Sequence, residues 1–321
     1  MPVTPSVRRF LERRAKAGAV SVDRLPLPLA RDYFAHYMPL ADIAACRVDS
    51  VEACVIDTRD GVGVAARIYY PRVPDWTDPQ PALLYFHSGG YVLGSLDTAD
   101  PICRMLAATA HCAVVSVAYR LAPEHKFPCA VNDALDALCW LHRHALVYGL
   151  DASRLAVGGE SAGATLAAVS ALHARELGIP LALQLLVYPA LSASIDGRAH
   201  RLYGEDYFLT GDVIRWIQRQ YLRDADDLRD WRFAPLDGAR NAPAHWRGAA
   251  PAWLVSAEYD PLRDEHASYA ERLRRAGNRV DARCYRGMIH GFFSMGRAIP
   301  EAAFAHRDAA CALRAALCPS G

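Results

Sequence analysis

The strongest constraint on the fold is a rhythm of short apolar runs. Six of them recur, at residues 82–86, 113–118, 155–157, 183–188, 252–256 and 280–285, with helical stretches between most of them. Runs this short, without polar alternation, suit strands covered on both faces, as crossover helices cover a parallel sheet. The helical stretches fall at residues 101–110, 131–144, 162–176 and 265–276, with a last helix at 302–317. This alternation predicts an α/β domain with a mostly parallel central sheet flanked by helices. Ahead of it, residues 51–57 and 62–70 alternate and meet at Arg59-Asp60-Gly61, which predicts an antiparallel hairpin.

Two segments break the rhythm. Residues 1–45 read as two helical pieces separated by prolines, the second around 29–37. Residues 191–250 hold no convincing strand and one good helix, 210–222, in which Val213, Ile217 and Tyr221 recur every fourth residue and Ile214 and Trp216 widen the stripe. An insertion of this length in an α/β domain is expected to act as a lid or binding element.

Charge and cysteine usage narrow the partners. With 36 Lys and Arg against 35 Asp and Glu, the chain lacks the basic excess of a nucleic-acid binder. Nine cysteines, an odd number at irregular spacings without a CxxC pair, argue against a disulfide framework and a zinc site. A reducing cytoplasm fits that pattern. Arg8, Arg9, Arg13, Arg14 and Lys16 crowd the N-terminus, but Pro26 and Pro28 interrupt the apolar residues that follow, so a secretory signal is not expected. The segment reads instead as a solvated amphipathic helix with Val7, Phe10 and Leu11 on its buried stripe. No window approaches the ~18 uninterrupted apolar residues of a membrane span. The expectation is a cytoplasmic, unanchored chain with neither nucleic-acid nor membrane partners.

Gly159-Glu160-Ser161-Ala162-Gly163 satisfies G-x-S-x-G directly after the apolar run 155–157 and opens a helix of small residues. A nucleophilic serine on a sharp strand-to-helix turn needs that context, because flanking side chains would collide there. His87-Ser88-Gly89-Gly90 ends the run 82–86, and adjacent glycines free backbone N–H groups to point into a site. With the amide of Ala162 they would form an oxyanion hole. Downstream, Asp260 stands just past the run 252–256, and Glu258, Asp264 and Glu265 compete with it. Asp264 and Glu265 suit the first turn of the next helix better, as caps. His290, on a loop before Gly291, suits a base that must reach serine and carboxylate together, while His266 and His306 lie in helices as surface or packing residues.

These motifs together resemble the hormone-sensitive-lipase family of α/β-hydrolases, in particular its bacterial carboxylesterases. Phe86-His87-Ser88-Gly89-Gly90-Tyr91 is similar to the family's H-G-G-G motif, Tyr119-Arg120-Leu121-Ala122-Pro123-Glu124 to its Y-R-L-A-P-E segment, and residues 159–163 to its G-D-S-A-G elbow. Asp260-Pro261-Leu262-Arg263-Asp264-Glu265 and His290-Gly291-Phe292 match the segments bearing the acid and the base. The resemblance implies a triad of Ser161, Asp260 and His290, and an oxyanion hole of the Gly89, Gly90 and Ala162 amides. It also implies a helical cap from residues 1–45 and 191–250 over a core of 46–190 and 251–321, with Tyr203, Tyr207 and Phe208 above Ser161. Three positions depart from the pattern: Ser88 for glycine, Glu160 for aspartate and Ala118 for aspartate.

The implied activity is serine carboxylesterase chemistry on short- to medium-chain acyl esters through an acyl-enzyme, with no metal or organic cofactor. An amidase or a metabolite deacetylase would use the same groups, and a non-catalytic ligand-binding homologue would keep the fold alone. Oligomeric state is left open, a homodimer being one outcome the sequence allows.

Overall fold

One eight-stranded sheet organises the chain, in the order β1-β2-β4-β3-β5-β6-β7-β8. The computed structural model describes residues 3–238 and 245–318. Residues 1–2, 239–244 and 319–321, which fall within the expected N-terminal, insertion and C-terminal segments, lie outside the described residues. β1 (Ser50–Asp57) and β2 (Gly63–Tyr70) form the expected hairpin, closed by Thr58 N–H to the Val62 carbonyl at 3.1 Å. β2 also runs antiparallel to β4 (Ala113–Val117). All other neighbours are parallel: β3 (Gln80–Phe86), β5 (Leu150–Glu160), β6 (Leu183–Val187), β7 (Ala252–Tyr259) and β8 (Val280–Ile289). This strand order, antiparallel at one end and parallel elsewhere, fits the expected mostly parallel sheet flanked by helices.

Alternate residues of each buried strand feed two cores. Leu84, Val115, Val157 and Leu254 face one layer with α4 (Cys129–His144), α5 (Ala162–Glu176) and α8 (Arg263–Arg275). Leu83, Val114, Ala156 and Val255 face the other with α3 (Leu96–Ala110) and α9 (Ala302–Leu317). That division explains why the strands read as unbroken apolar runs. Each fully buried Leu, Val or Phe contributes roughly 1.5–3 kcal/mol of burial, which ties both helix layers to the sheet.

Several boundaries shift. α3 starts at Leu96 rather than Pro101: Thr98 N–H donates to Ser95 Oγ at 3.3 Å and Ser95 N–H donates back to Thr98 Oγ1 at 2.9 Å, a reciprocal cap. Pro101 therefore sits inside the helix, against the preference that places proline in the first turn. α1 (Pro5–Lys16) and α2 (Leu27–Ala41) supply the two N-terminal helical pieces. The insertion contains α6 (Arg198–Tyr203), which the sequence did not predict, and α7 (Gly211–Tyr221), whose Thr210 Oγ1 accepts from Val213 N–H at 3.3 Å.

Candidate active site

Four parallel strands deliver the chemistry-bearing residues to one edge of the sheet. β3 runs into His87, β5 into Ser161, β7 into Asp260 and β8 into His290. Ser161 is the single residue between β5 and α5, with φ 54° and ψ −121°. A non-glycine residue held there costs roughly 1–3 kcal/mol, so its surroundings must over-determine it. Its N–H donates to the Val187 carbonyl at 2.8 Å. A Cβ on Gly163 would lie 2.0 Å from the Phe86 carbonyl oxygen, and one on Gly159 would lie 2.4 Å from the Gly163 carbonyl carbon. Only glycine lets the turn press that closely against β3.

Asp260, His290 and Ser161 lie in a continuous line. His290 Nδ1 donates to Asp260 Oδ2 at 2.8 Å, and His290 Nε2 meets Ser161 Oγ at 2.9 Å. A proton held on Nδ1 by the carboxylate leaves Nε2 as the acceptor for the serine hydroxyl. Asp260 is fully buried and also accepts from Leu262 N–H at 2.8 Å. Burial alone would raise its pKa, but the facing His290 and these hydrogen bonds hold it below the ordinary carboxylate range.

The rival carboxylates are occupied elsewhere. Glu258 accepts from Gly287 N–H at 2.7 Å. Asp264 and Glu265 occupy the first turn of α8 as expected, yet they do not cap that helix. Asp264 accepts from Ala199 N–H at the start of α6, and Glu265 from the amides of Leu191 and Ser192 at 2.7 and 2.9 Å. The two helical histidines are buried packing residues: His266 Nε2 donates to the Pro189 carbonyl and His306 Nε2 to that of Phe293.

The amides of Gly89, Gly90 and Ala162 have no backbone acceptor among the described residues, and Ala162 is the first residue of α5. Their loop is fixed from behind. Tyr119 of the Tyr119–Glu124 segment donates from its hydroxyl to the His87 carbonyl at 2.8 Å and stacks on the His87 ring at 4.2 Å. Burial lowers the His87 pKa to about 4, so the ring is neutral, and its Nδ1 donates to the Ser88 carbonyl at 2.7 Å. Ser88 itself keeps an ordinary backbone and lines the cavity. The longer Glu160 is buried beside Ser161, receiving the hydroxyls of Tyr188 and Ser294. Burial raises its pKa, against the pull of those two donors.

Two adjoining cavities reach Ser161, with room of about 100 and about 60 Å³. Both are far below the roughly 300–1,000 Å³ of sites for drug-sized ligands. Gly90, Ser161, Leu209 and Ile217 border both, so the two hollows share one wall. The first is walled by Tyr33, Phe34 and Tyr37 of α2 and by Phe208 and Trp216. Of the three aromatics expected above Ser161, only Phe208 lines it. Tyr203 and Tyr207 pack on Tyr259, at 5.4 and 5.2 Å between ring centroids. Arg14, expected on the solvated face of α1, also lines the first cavity. The aromatic stripe of α2 was the available signal for this wall, but helical spacing does not tell a core face from a cavity face.

A family model described as the alpha/beta hydrolase fold matches residues 83–294. The chain belongs to the hormone-sensitive-lipase family of α/β-hydrolases. It is 37% identical to the ethyl acetate hydrolase of Pseudomonas putida over 309 residues, which span 94% of this chain and 95% of that one. It is 41% identical to the carboxylic ester hydrolase LipN of Mycobacterium tuberculosis over 261 residues, 79% of this chain and 67% of that one. Among solved structures, the hyperthermophilic esterase of Pyrobaculum calidifontis superposes with a TM-score of 0.90 at 35% identity, over 98% of this chain and 99% of the other.

Proposed function

We propose that this carboxylic ester hydrolase cleaves short- to medium-chain acyl esters in two steps, with Ser161 as nucleophile, His290 as base and Asp260 as its orienting acid. The observation that carries the reading is the unbroken line from Asp260 through both ring nitrogens of His290 to Ser161 Oγ, with bonds of 2.8 and 2.9 Å. Ser161 Oγ attacks the ester carbonyl while His290 Nε2 takes its proton, and the carbonyl π electrons move onto oxygen. The amides of Gly89, Gly90 and Ala162, with the N-terminal dipole of α5, receive that negative charge. His290 returns the proton to the leaving alkoxide, and the alcohol departs from an acyl-Ser161. Water then attacks with His290 as base, and the collapse of the second adduct releases the acid and restores the serine. The small hollows support the limit on acyl length.

In this reading residues 1–45 and 191–250 cap a core of 46–190 and 251–321. All nine cysteines are unpaired thiols, which supports a reducing cytoplasm. β8 is the outer strand of the parallel half of the sheet, and edge-to-edge pairing there is the geometry for a homodimer, read by light scattering. Ser161→Ala is the test of the chemistry. It should lower turnover of a p-nitrophenyl ester by about 10³-fold or more in a folded protein and abolish labelling by a fluorophosphonate. Labelling of another serine overturns the assignment.

A further inference from the structure

α1 carries Arg8, Arg9, Arg13, Arg14 and Lys16 against one acid, Glu12, and none of the five cations forms an ion pair among the described residues. Arg14 lines the cavity that holds Ser161 and His290. Its guanidinium carbon lies 5.2 Å from the ring centroids of Tyr37 and Phe208 and 6.0 Å from that of Phe10. One N–H, on Nη1, donates to the Tyr33 hydroxyl at 3.3 Å. Aromatic faces hold a guanidinium in place and strip its water, but they satisfy few of its five N–H donors. A carboxylate supplies what is missing, two parallel acceptors and a negative charge. Phe208 links this cation to the site: it carries the Arg14 guanidinium on its ring, and a Cβ placed on Gly291, next to His290, would lie 3.2 Å from its Cε1.

We infer that the ester arm filling this cavity ends in a carboxylate received by Arg14, so that the substrates are half-esters of dicarboxylic acids or acyl esters of hydroxy acids. The inference rests on Ser161 and His290 acting as proposed above. The unpaired charge of α1 would add steering of anionic substrates toward the cavity.

The test compares matched esters on the full chain. On the acyl arm, mono-p-nitrophenyl adipate, pimelate and suberate are set against p-nitrophenyl hexanoate, heptanoate and octanoate. On the alcohol arm, 6-(butanoyloxy)hexanoate is set against hexyl butanoate. In one of the two sets the anionic ester should have a kcat/KM about tenfold or more above its neutral twin. Raising NaCl from about 20 to about 500 mM should erode that advantage and leave the neutral twin unaffected. Arg14→Met should lower the anionic-to-neutral ratio about 10- to 100-fold, and Arg14→Lys should restore part of it. If Arg14→Met does not fold, the salt dependence of the wild type decides. Neutral twins preferred in both sets, or a ratio unmoved by Arg14→Met, overturns the inference. So does stimulation by phosphatidylglycerol vesicles without regard to ester charge, which would assign the basic face of α1 to a lipid surface. If no ester of either kind is turned over and Ser161 resists the fluorophosphonate, the catalytic reading fails instead.

Discussion

The Tyr188 hydroxyl donates to Glu160 Oε1 at 2.6 Å, joining the end of β6 to the residue just before Ser161. The same hydroxyl oxygen accepts from Phe293 N–H at 3.1 Å, and Ser294 donates to the other Glu160 oxygen. One buried carboxylate thus holds the serine turn and the histidine loop at a fixed separation.

Tyr188→Phe removes that link and leaves a buried amide and a carboxylate oxygen unpaired. The cost is about 1–3 kcal/mol, seen as a Tm lower by roughly 2–6 °C. We expect kcat to fall about tenfold as well, because catalysis is sensitive to small displacements of His290. A lower Tm with unchanged kcat at 20 °C would confine Tyr188 to a structural role.

Asp260→Asn should preserve the fold and lower kcat by about 10³- to 10⁴-fold, since an amide opposite Nδ1 no longer selects the tautomer that leaves Nε2 free. Glu258→Gln and Asp264→Asn should act mainly on stability, because those carboxylates serve backbone amides of β8 and of the first turn of α6. Steady-state kinetics of the three variants on one ester, beside their melting curves, decides between the carboxylates.

Phe208 and Tyr207 are adjacent in sequence and opposite in duty. Phe208→Ala opens the wall of the first cavity and should move the optimum of a p-nitrophenyl ester series toward longer acyl chains, each accommodated methylene adding roughly 0.8 kcal/mol. Tyr207→Ala removes a packing partner of Tyr259 and should lower Tm while leaving the chain-length profile unchanged. The reverse assignment of effects would contradict the placement of both rings.

Burial pushes Asp42 and Glu265 up to about 8. The unfolded groups titrate near 4, so between about 4 and 8 the folded chain binds more protons than the unfolded one. Their contribution to stability is therefore complete below about pH 4, declines as pH rises and is lost above about 8. Tm should drop by several degrees between pH 6 and 9. Asp42→Asn keeps an acceptor for Ile43 N–H, which donates to Asp42 Oδ1 at 2.7 Å, and should flatten that drop. A slope identical to the wild type's would remove Asp42 from the account.

The sheet was legible because burial on both faces writes an unbroken apolar run, and all eight strands lie where those runs and the hairpin alternation fall. The residues meeting at the sheet edge were legible because each follows a strand and the order serine, acid, base fits one topology. The wall of the first cavity was not. Arg14, Tyr33 and Tyr37 come from α1 and α2, far in sequence from Ser161, and a helix turns an aromatic toward a hollow with the same period it uses toward a core. Tyr207 and Phe208 point to different neighbours from an irregular stretch, where no period applies. Asp264 and Glu265 show the same limit: their first-turn position was readable, but their partners, in α6 and in the loop after β6, lie far off in sequence where the local sequence does not specify them.

Ser161, Asp260 and His290 stand just past the ends of sheet strands, whereas the aromatic wall beside them comes from α2, the stretch before α7 and α7 itself. Mutation and recombination therefore meet two separate targets. Under the proposed chemistry, changes in the wall should alter which ester enters without disturbing strand register, while changes at the strand ends should silence the enzyme. A lineage built this way can drift across substrates by accumulating substitutions in helices whose loss of fit is graded, keeping one reaction through successive changes of diet.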